Sequence, residues 1–236
     1  MRLIRAADDA EAAALAAGEL AAACRAAVDE RGIAVVAVSG GETPWRMLEH
    51  LRDHALPWEH VRVAQVDERV APRGDPRRNL TRLEQLLVAE GPLPGGNLLA
   101  MPVEAGDLTR AAARYQQLLE RIAGCPVTFD VVQLGLGVDG HTASLVPGDA
   151  ALDVVDRDVA VTGGYQGLRR MTLTLPALNR ARHRLWLVTG AAKSPRLAEL
   201  LAGSPSVGLP ALRVNRAHTT VVADETALAT AGPSPG

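Results

Sequence analysis

Asp130 to Pro147 reads DVVQLGLGVDGHTASLVP, and this stretch decides the fold. Val131 to Leu134 is a short, mostly β-branched and aliphatic run of the kind that forms a buried strand. Behind it come Gly135, Gly137 and Gly140, interleaved with Asp139 and followed by His141, Thr142 and Ser144. Glycine permits backbone angles with φ > 0 and lets main-chain N–H groups approach a ligand closely. A strand ending in such a loop, with an acid and a histidine on it, predicts a site at the carboxyl edge of an open parallel sheet.

Working outward, Ile33 to Val38 (IAVVAV) is apolar on both faces, as a central parallel strand must be. It runs into Ser39-Gly40-Gly41-Glu42-Thr43-Pro44, after which a helix is expected to about His54, with Thr43 as N-cap and Pro44 at its first position. Leu3 and Ile4 suit an edge strand. Asp8 and Glu11 have capping-box spacing before an alanine-rich helix that Gly32 closes. Further strands are expected at Val61–Val66, ending in a polar Asp67-Glu68-Arg69 loop, and at Leu98–Met101, Asp158–Thr162, Met171–Leu175, Arg184–Thr189 and Thr219–Ala223. Helices are expected over Asn79–Ala89, Leu108–Ile122 and Ala191–Leu201, the last carrying Lys193. Strands alternating with helices at this spacing predict a single-domain, doubly wound α/β fold: a mostly parallel sheet flanked by helices, over residues 1–228. Residues 229–236 read as a disordered tail.

Composition narrows the function classes. The chain has 236 residues, 47% of them hydrophobic, and a formal net charge of -2, enough for a large core and too balanced to attract nucleic acid or an anionic membrane. Aromatic content of 3% leaves no base-stacking platform. Cys24 and Cys125 read as reduced thiols, and the N-terminus carries no secretory h-region. The expectation is a cytoplasmic protein, either monomer or dimer, and no Cys/His cluster has metal-ligand spacing.

Three strand ends carry unusual polar loops, and on an open parallel sheet they share one edge. The SGGETP turn offers free N–H groups where the helix dipole favours an anion, so it reads either as a phosphate seat or as an ordinary tight βα turn. Lys193 is either a phosphate partner or a solvated surface charge. GLGVDG fits the dinucleotide pattern, but Pro147 follows Gly140 too closely for a long helix to pack behind it, which argues against nicotinamide chemistry. His141 is the general-base candidate, its unperturbed pKa of about 6.5 suiting proton transfer near neutrality; the alternative is a histidine tied to its own loop. Ser144 lacks the nucleophile-elbow pattern, and His50 and His54 lack the H-E-x-x-H pattern.

Together GLGVDGHTASLVPG, SGGETP, VDERVAP and RMTLTLPALNRARHRLWLVTGAAK resemble the 6-phosphogluconolactonase family, nearly end to end. The resemblance implies a glucosamine-6-phosphate deaminase-like, modified Rossmann-like fold. It also implies hydrolysis of 6-phospho-D-glucono-1,5-lactone in the oxidative pentose phosphate pathway, with no metal or organic cofactor. His141 is then the base that activates water, with Asp139 orienting the ring. Ser39, Gly40, Gly41, Thr43, Arg170 and Lys193 face the phosphate or its surroundings, with Gly137 in the same site; Asp67, Glu68, Arg69 and Asn79 line the sugar side. The related deaminases resemble GDGHIAFNEP in the central loop and Asp-Glu-Tyr at the other; Val146 and Arg69 here depart from both. The segment GGYQGLRR departs from the proline- and lysine-rich segment usual in lactonases and leaves Arg169 and Arg170 both open as anion contacts. A deaminase-like isomerase and a non-catalytic sugar-phosphate sensor stand as alternatives; the second usually carries a helix-turn-helix, for which this chain shows no segment.

Overall fold

The computed structural model describes residues 1–203 and 209–229, so the expected tail, apart from Ala229, lies outside the described residues. In chain order the elements are β1 (Arg2–Ala6), α1 (Asp9–Arg31), β2 (Ala34–Val38), α2 (Glu42–Arg52), β3 (Val61–Gln65), β4 (Asp67–Arg69), α3 (Asn79–Leu83), β5 (Leu98–Leu99), α4 (Leu108–Ala123), β6 (Val131–Leu134), β7 (Val159–Val161), β8 (Arg170–Leu173), α5 (Leu175–Arg180), β9 (His183–Val188), α6 (Ser194–Ala202), β10 (Thr219–Asp224) and α7 (Glu225–Leu228). A π-helical stretch, Glu84–Ala89, prolongs α3.

Seven strands form one wholly parallel sheet in the order β1-β10-β9-β6-β2-β3-β5. Successive side chains of a strand point to opposite faces, and β2 shows why its sequence is apolar throughout. Val35 and Ala37 join one buried cluster with α4 and α5; Ala34, Val36 and Val38 join the other with α1 and α2. Helices therefore cover both faces, the layered α/β architecture expected from the strand–helix alternation.

Helix α1 is held as its sequence implies. Asp8 accepts from the Glu11 N–H at 2.8 Å, Glu11 accepts from the Ala7 N–H at 2.6 Å, and Gly32 closes the far end at φ 75. The alanines Ala12, Ala13, Ala16 and Ala17 are buried, which lets the helix lie close against the sheet.

Four local expectations are corrected. Asp67-Glu68-Arg69 is not a loop but strand β4, antiparallel to β8, which pairs in turn with β7 in a separate three-stranded sheet. Such pairing joins residues about a hundred positions apart and leaves no local periodicity. Met171–Leu175 ends as a strand at Leu173, because Thr174 turns the chain into α5 with proline in its first turn. Thr43 is not the N-cap of α2: Gly41 takes that place at φ 131 with no side-chain cap, and the Thr43 hydroxyl bonds that of Thr189 instead, at 2.7 Å. Lys193 precedes α6 in a short 3-10 turn, Ala191–Lys193.

The order of the sheet places the site. From β2 the chain proceeds to β3 and β5 on one side, and from β6 to β9 and β10 on the other. Between the carboxyl ends of β2 and β6 the winding reverses, and loops leaving a reversal diverge to open a crevice.

Candidate active site

At that crevice is a cleft of about 250 Å³, lined by Ser39 to Pro44, Asp67, Arg69, Gly135 to Gly137, His141, Ala143, Arg170, Leu187 to Thr189 and Lys193. Loops after β2, β6 and β9, with β4 and β8, thus supply one wall each. Ser39, Gly40, Gly41, Thr43, Asp67, Arg69, Gly137, His141, Arg170 and Lys193, all anticipated from sequence, meet here. Glu68 and Asn79 do not line it, and Asp139 stands behind His141.

The turn after β2 is built by its neighbours. Ser39 donates its N–H to Gln133 Oε1 and its hydroxyl to the Gln133 carbonyl, both at 3.0 Å, fastening the turn to β6. A methyl group on Gly40 would lie 1.9 Å from Asn79 Oδ1, so only glycine fits. Asn79 is held in turn by the Asp67 carbonyl at 2.9 Å and by Arg69 at 2.5 Å. The first N–H groups of α2 have no intrahelical partner and no side-chain cap, and they open on the cleft with the positive end of the helix dipole.

Glu68 is a framework carboxylate. It is fully buried and accepts from the N–H groups of Arg69, Asn79 and Leu80, from Gln65 Nε2 and from Arg78 Nε. It thereby caps α3 and ties β4 to it, which withdraws it from the sugar wall.

The loop after β6 carries the acid–base pair. His141 Nδ1 lies 2.6 Å from Asp139 Oδ1, and the His141 N–H reaches the same oxygen at 3.2 Å. Partial burial pushes the Asp139 carboxyl up, but the hydrogen bonds from His141 and Tyr165 outweigh it and hold the group below the usual carboxylate range. An ionised Asp139 only accepts, so Nδ1 bears the proton and Nε2 of a neutral ring presents its lone pair. A methyl group on Gly137 would sit 2.1 Å from His141 Nδ1, which explains glycine there.

Three cations face the cleft. Arg170 lies on its wall, whereas Arg169 lines a groove beside α4. Desolvation lowers Arg170, partly offset by the Asp67 charge. Lys193 is likewise lowered by desolvation, with Asp139 opposing. Among the described residues no group of three or more His, Cys, Asp or Glu is placed to hold a metal ion.

Sequence reasoning considers Ser144 only as a nucleophile and misses Tyr165. Ser144, buried, donates to Asp67 Oδ2 and accepts from Arg170 Nη1 at 3.4 Å, bridging β4 to β8. Tyr165 donates to Asp139 Oδ2 at 3.2 Å. Its only sequence signal is an aromatic in a chain with 3% aromatic residues.

The family model for glucosamine-6-phosphate isomerases/6-phosphogluconolactonase matches residues 7–223. The chain belongs to this family. A 6-phosphogluconolactonase of Synechocystis is 40% identical over 180 residues, covering 75% of each chain. One of Mycobacterium tuberculosis is 35% identical over 222 residues, 89% of this chain and 90% of that one. Among solved structures, a 6-phosphogluconolactonase from Thermotoga maritima superposes with a TM-score of 0.81 at 27% identity, over 94% of this chain and 98% of that one. A monomeric glucosamine-6-phosphate deaminase shares the family fold, with a TM-score of 0.84 at 19% identity over 98% of this chain and all of that one.

Proposed function

We propose that this chain hydrolyses 6-phospho-D-glucono-1,5-lactone to 6-phosphogluconate, in the oxidative pentose phosphate pathway. The observation that carries the reading is the pairing, in one cleft, of an uncapped helix N-terminus with the Asp139–His141 dyad. The first suits a phosphate dianion, reinforced by Lys193. The second suits removal of a proton from water.

The reaction needs little else. His141 Nε2 takes a proton as water oxygen attacks the lactone carbonyl, and the carbonyl electrons move onto oxygen. The tetrahedral intermediate then expels the ring oxygen, which takes the proton from the imidazolium. General-base assistance is worth about 10²–10⁴-fold, ample for an already activated ester. Asp67, Arg69 and Arg170 serve the hydroxyls and the developing anion, and the dyad keeps its geometry throughout.

Within the family the deaminase is the rival. Its aldose–ketose chemistry needs titratable groups where this chain has Val146, which is buried, and Arg69. We therefore place the chain with the lactonases. No helix among the described residues is long and apolar enough to cross a membrane, and we take the cytoplasm as its site of action.

Freshly generated lactone, followed by acid release at constant pH, distinguishes these readings. Acceleration over spontaneous hydrolysis supports the lactonase; ammonia release from glucosamine 6-phosphate supports the deaminase. Binding of 6-phosphogluconate with neither reaction supports a sensor.

A further inference from the structure

Between β7 and β8 the chain forms a tight hairpin whose tip has no part in the function proposed above. Tyr165 and Leu168 pair across it, with N–H to O distances of 3.0 and 3.3 Å. The two residues between them, Gln166 and Gly167, both have positive φ, 51 and 78, the backbone of a type I′ turn that follows strand twist. This turn is costly for a glutamine, and it is compensated locally: Gln166 Oε1 accepts from Arg170 Nη2 at 3.1 Å. The hairpin brings one aromatic ring against residues at the edge of the cleft.

That ring touches three groups at once. Its hydroxyl donates to Asp139 Oδ2 at 3.2 Å, while Asp139 Oδ1 serves His141. Its edge meets the His141 imidazole, centroids 5.5 Å apart at 65°. The Arg170 guanidinium lies 4.9 Å from its centroid, within cation–π range.

We propose that Tyr165 is a positioning residue for the His141–Asp139 pair, fixing the carboxylate through its second oxygen and the imidazole through its edge. The kinetic part of this inference rests on the lactonase reading. Without the phenol, no hydrogen bond among the described residues holds Oδ2, and the full carboxylate charge is available to the imidazole. An imidazolium is then favoured, so His141 holds its proton to higher pH. Other charged groups lie around the pair: Lys193, before α6, feels the Asp139 charge; Arg170 on β8 faces the Tyr165 ring, with Asp67 of β4 acting on Arg170; and Arg196 on α6 holds the Val138 carbonyl next to Asp139 at 3.3 Å. None of these is removed by the substitution that follows, so their contribution is constant in the comparison.

Tyr165→Phe deletes the hydroxyl and keeps the ring over Arg170. NMR titration of the His141 ring proton in the full chain should show its midpoint raised by about 0.5–1 pH unit, the size of one charge-assisted hydrogen bond redistributed. The acidic limb of kcat/KM for the lactone should move up by the same amount. On the plateau kcat should fall about 3- to 10-fold with KM little changed, the usual worth of one hydrogen bond. Tyr165→Ala should add a larger loss by releasing the ring. A His141 titration in Tyr165→Phe that superposes on the wild type overturns the inference. If the wild type proves inactive on the lactone, the proposed function falls, while the NMR titration still decides the role of Tyr165.

Discussion

In the proposed reaction His141 serves as the base, with Asp139 at its Nδ1 and no hydrogen bond to its Nε2 among the described residues. His141→Ala should therefore lose about 10²–10⁴-fold in kcat while still binding 6-phosphogluconate, measured by initial rates and calorimetry. Lys193 makes a separate prediction. Its folded-state pKa is lowered by desolvation, so its charge is complete below that value and is lost as pH rises through it. Affinity for 6-phosphogluconate should accordingly decline at a pH below that at which an ordinary lysine loses charge, and Lys193→Arg should abolish the decline because guanidinium stays charged. Calorimetric titration across alkaline pH checks both. His141 was legible in the sequence as a histidine in a glycine loop at a strand end, whereas Lys193, ambiguous by residue type alone, was legible only through the family resemblance. Tyr165 was not: its contact with Asp139 spans 26 residues, and GGYQGLRR contains no pattern that aims a side chain.

At the scale of elements, the turn between β2 and α2 is tight because Asn79 fills the space a side chain would need. Gly40→Ala should displace Asn79, cost about 1–3 kcal/mol in urea unfolding, and raise KM more than it lowers kcat. Glu68 marks the limit of motif reading. In the sequence it belongs to an acid–acid–arginine run beside the site; in the fold it satisfies donors from three backbone N–H groups and two side chains. Replacing it with glutamine puts N–H where acceptors are required. Glu68→Gln should cost about 3–5 kcal/mol of stability, with the folded fraction retaining most of its turnover. Strand β4, which carries Glu68, was invisible for the same reason: three residues paired to a distant strand have no periodicity of their own. Strand β2 was legible because burial on both faces demands an unbroken apolar run, and β6 and β9 because their runs are mostly apolar, broken by Gln133 in one and by His183 and Arg184 in the other.

For the whole molecule, the position of the site follows from winding. A parallel sheet that reverses direction between β2 and β6 opens its crevice there, and a glycine-bearing loop leaves each of those two strands. The proposed anion seat and the proposed base are thereby brought to one cleft, for a small phosphorylated lactone to span. The account stands or falls on that orientation. A crystal structure with 6-phosphogluconate bound should show the phosphate against the N–H groups at Gly41 to Thr43 and Lys193, with the C1 carboxylate beside His141 Nε2. A product bound in the reverse sense, or bound outside this cleft, would contradict it.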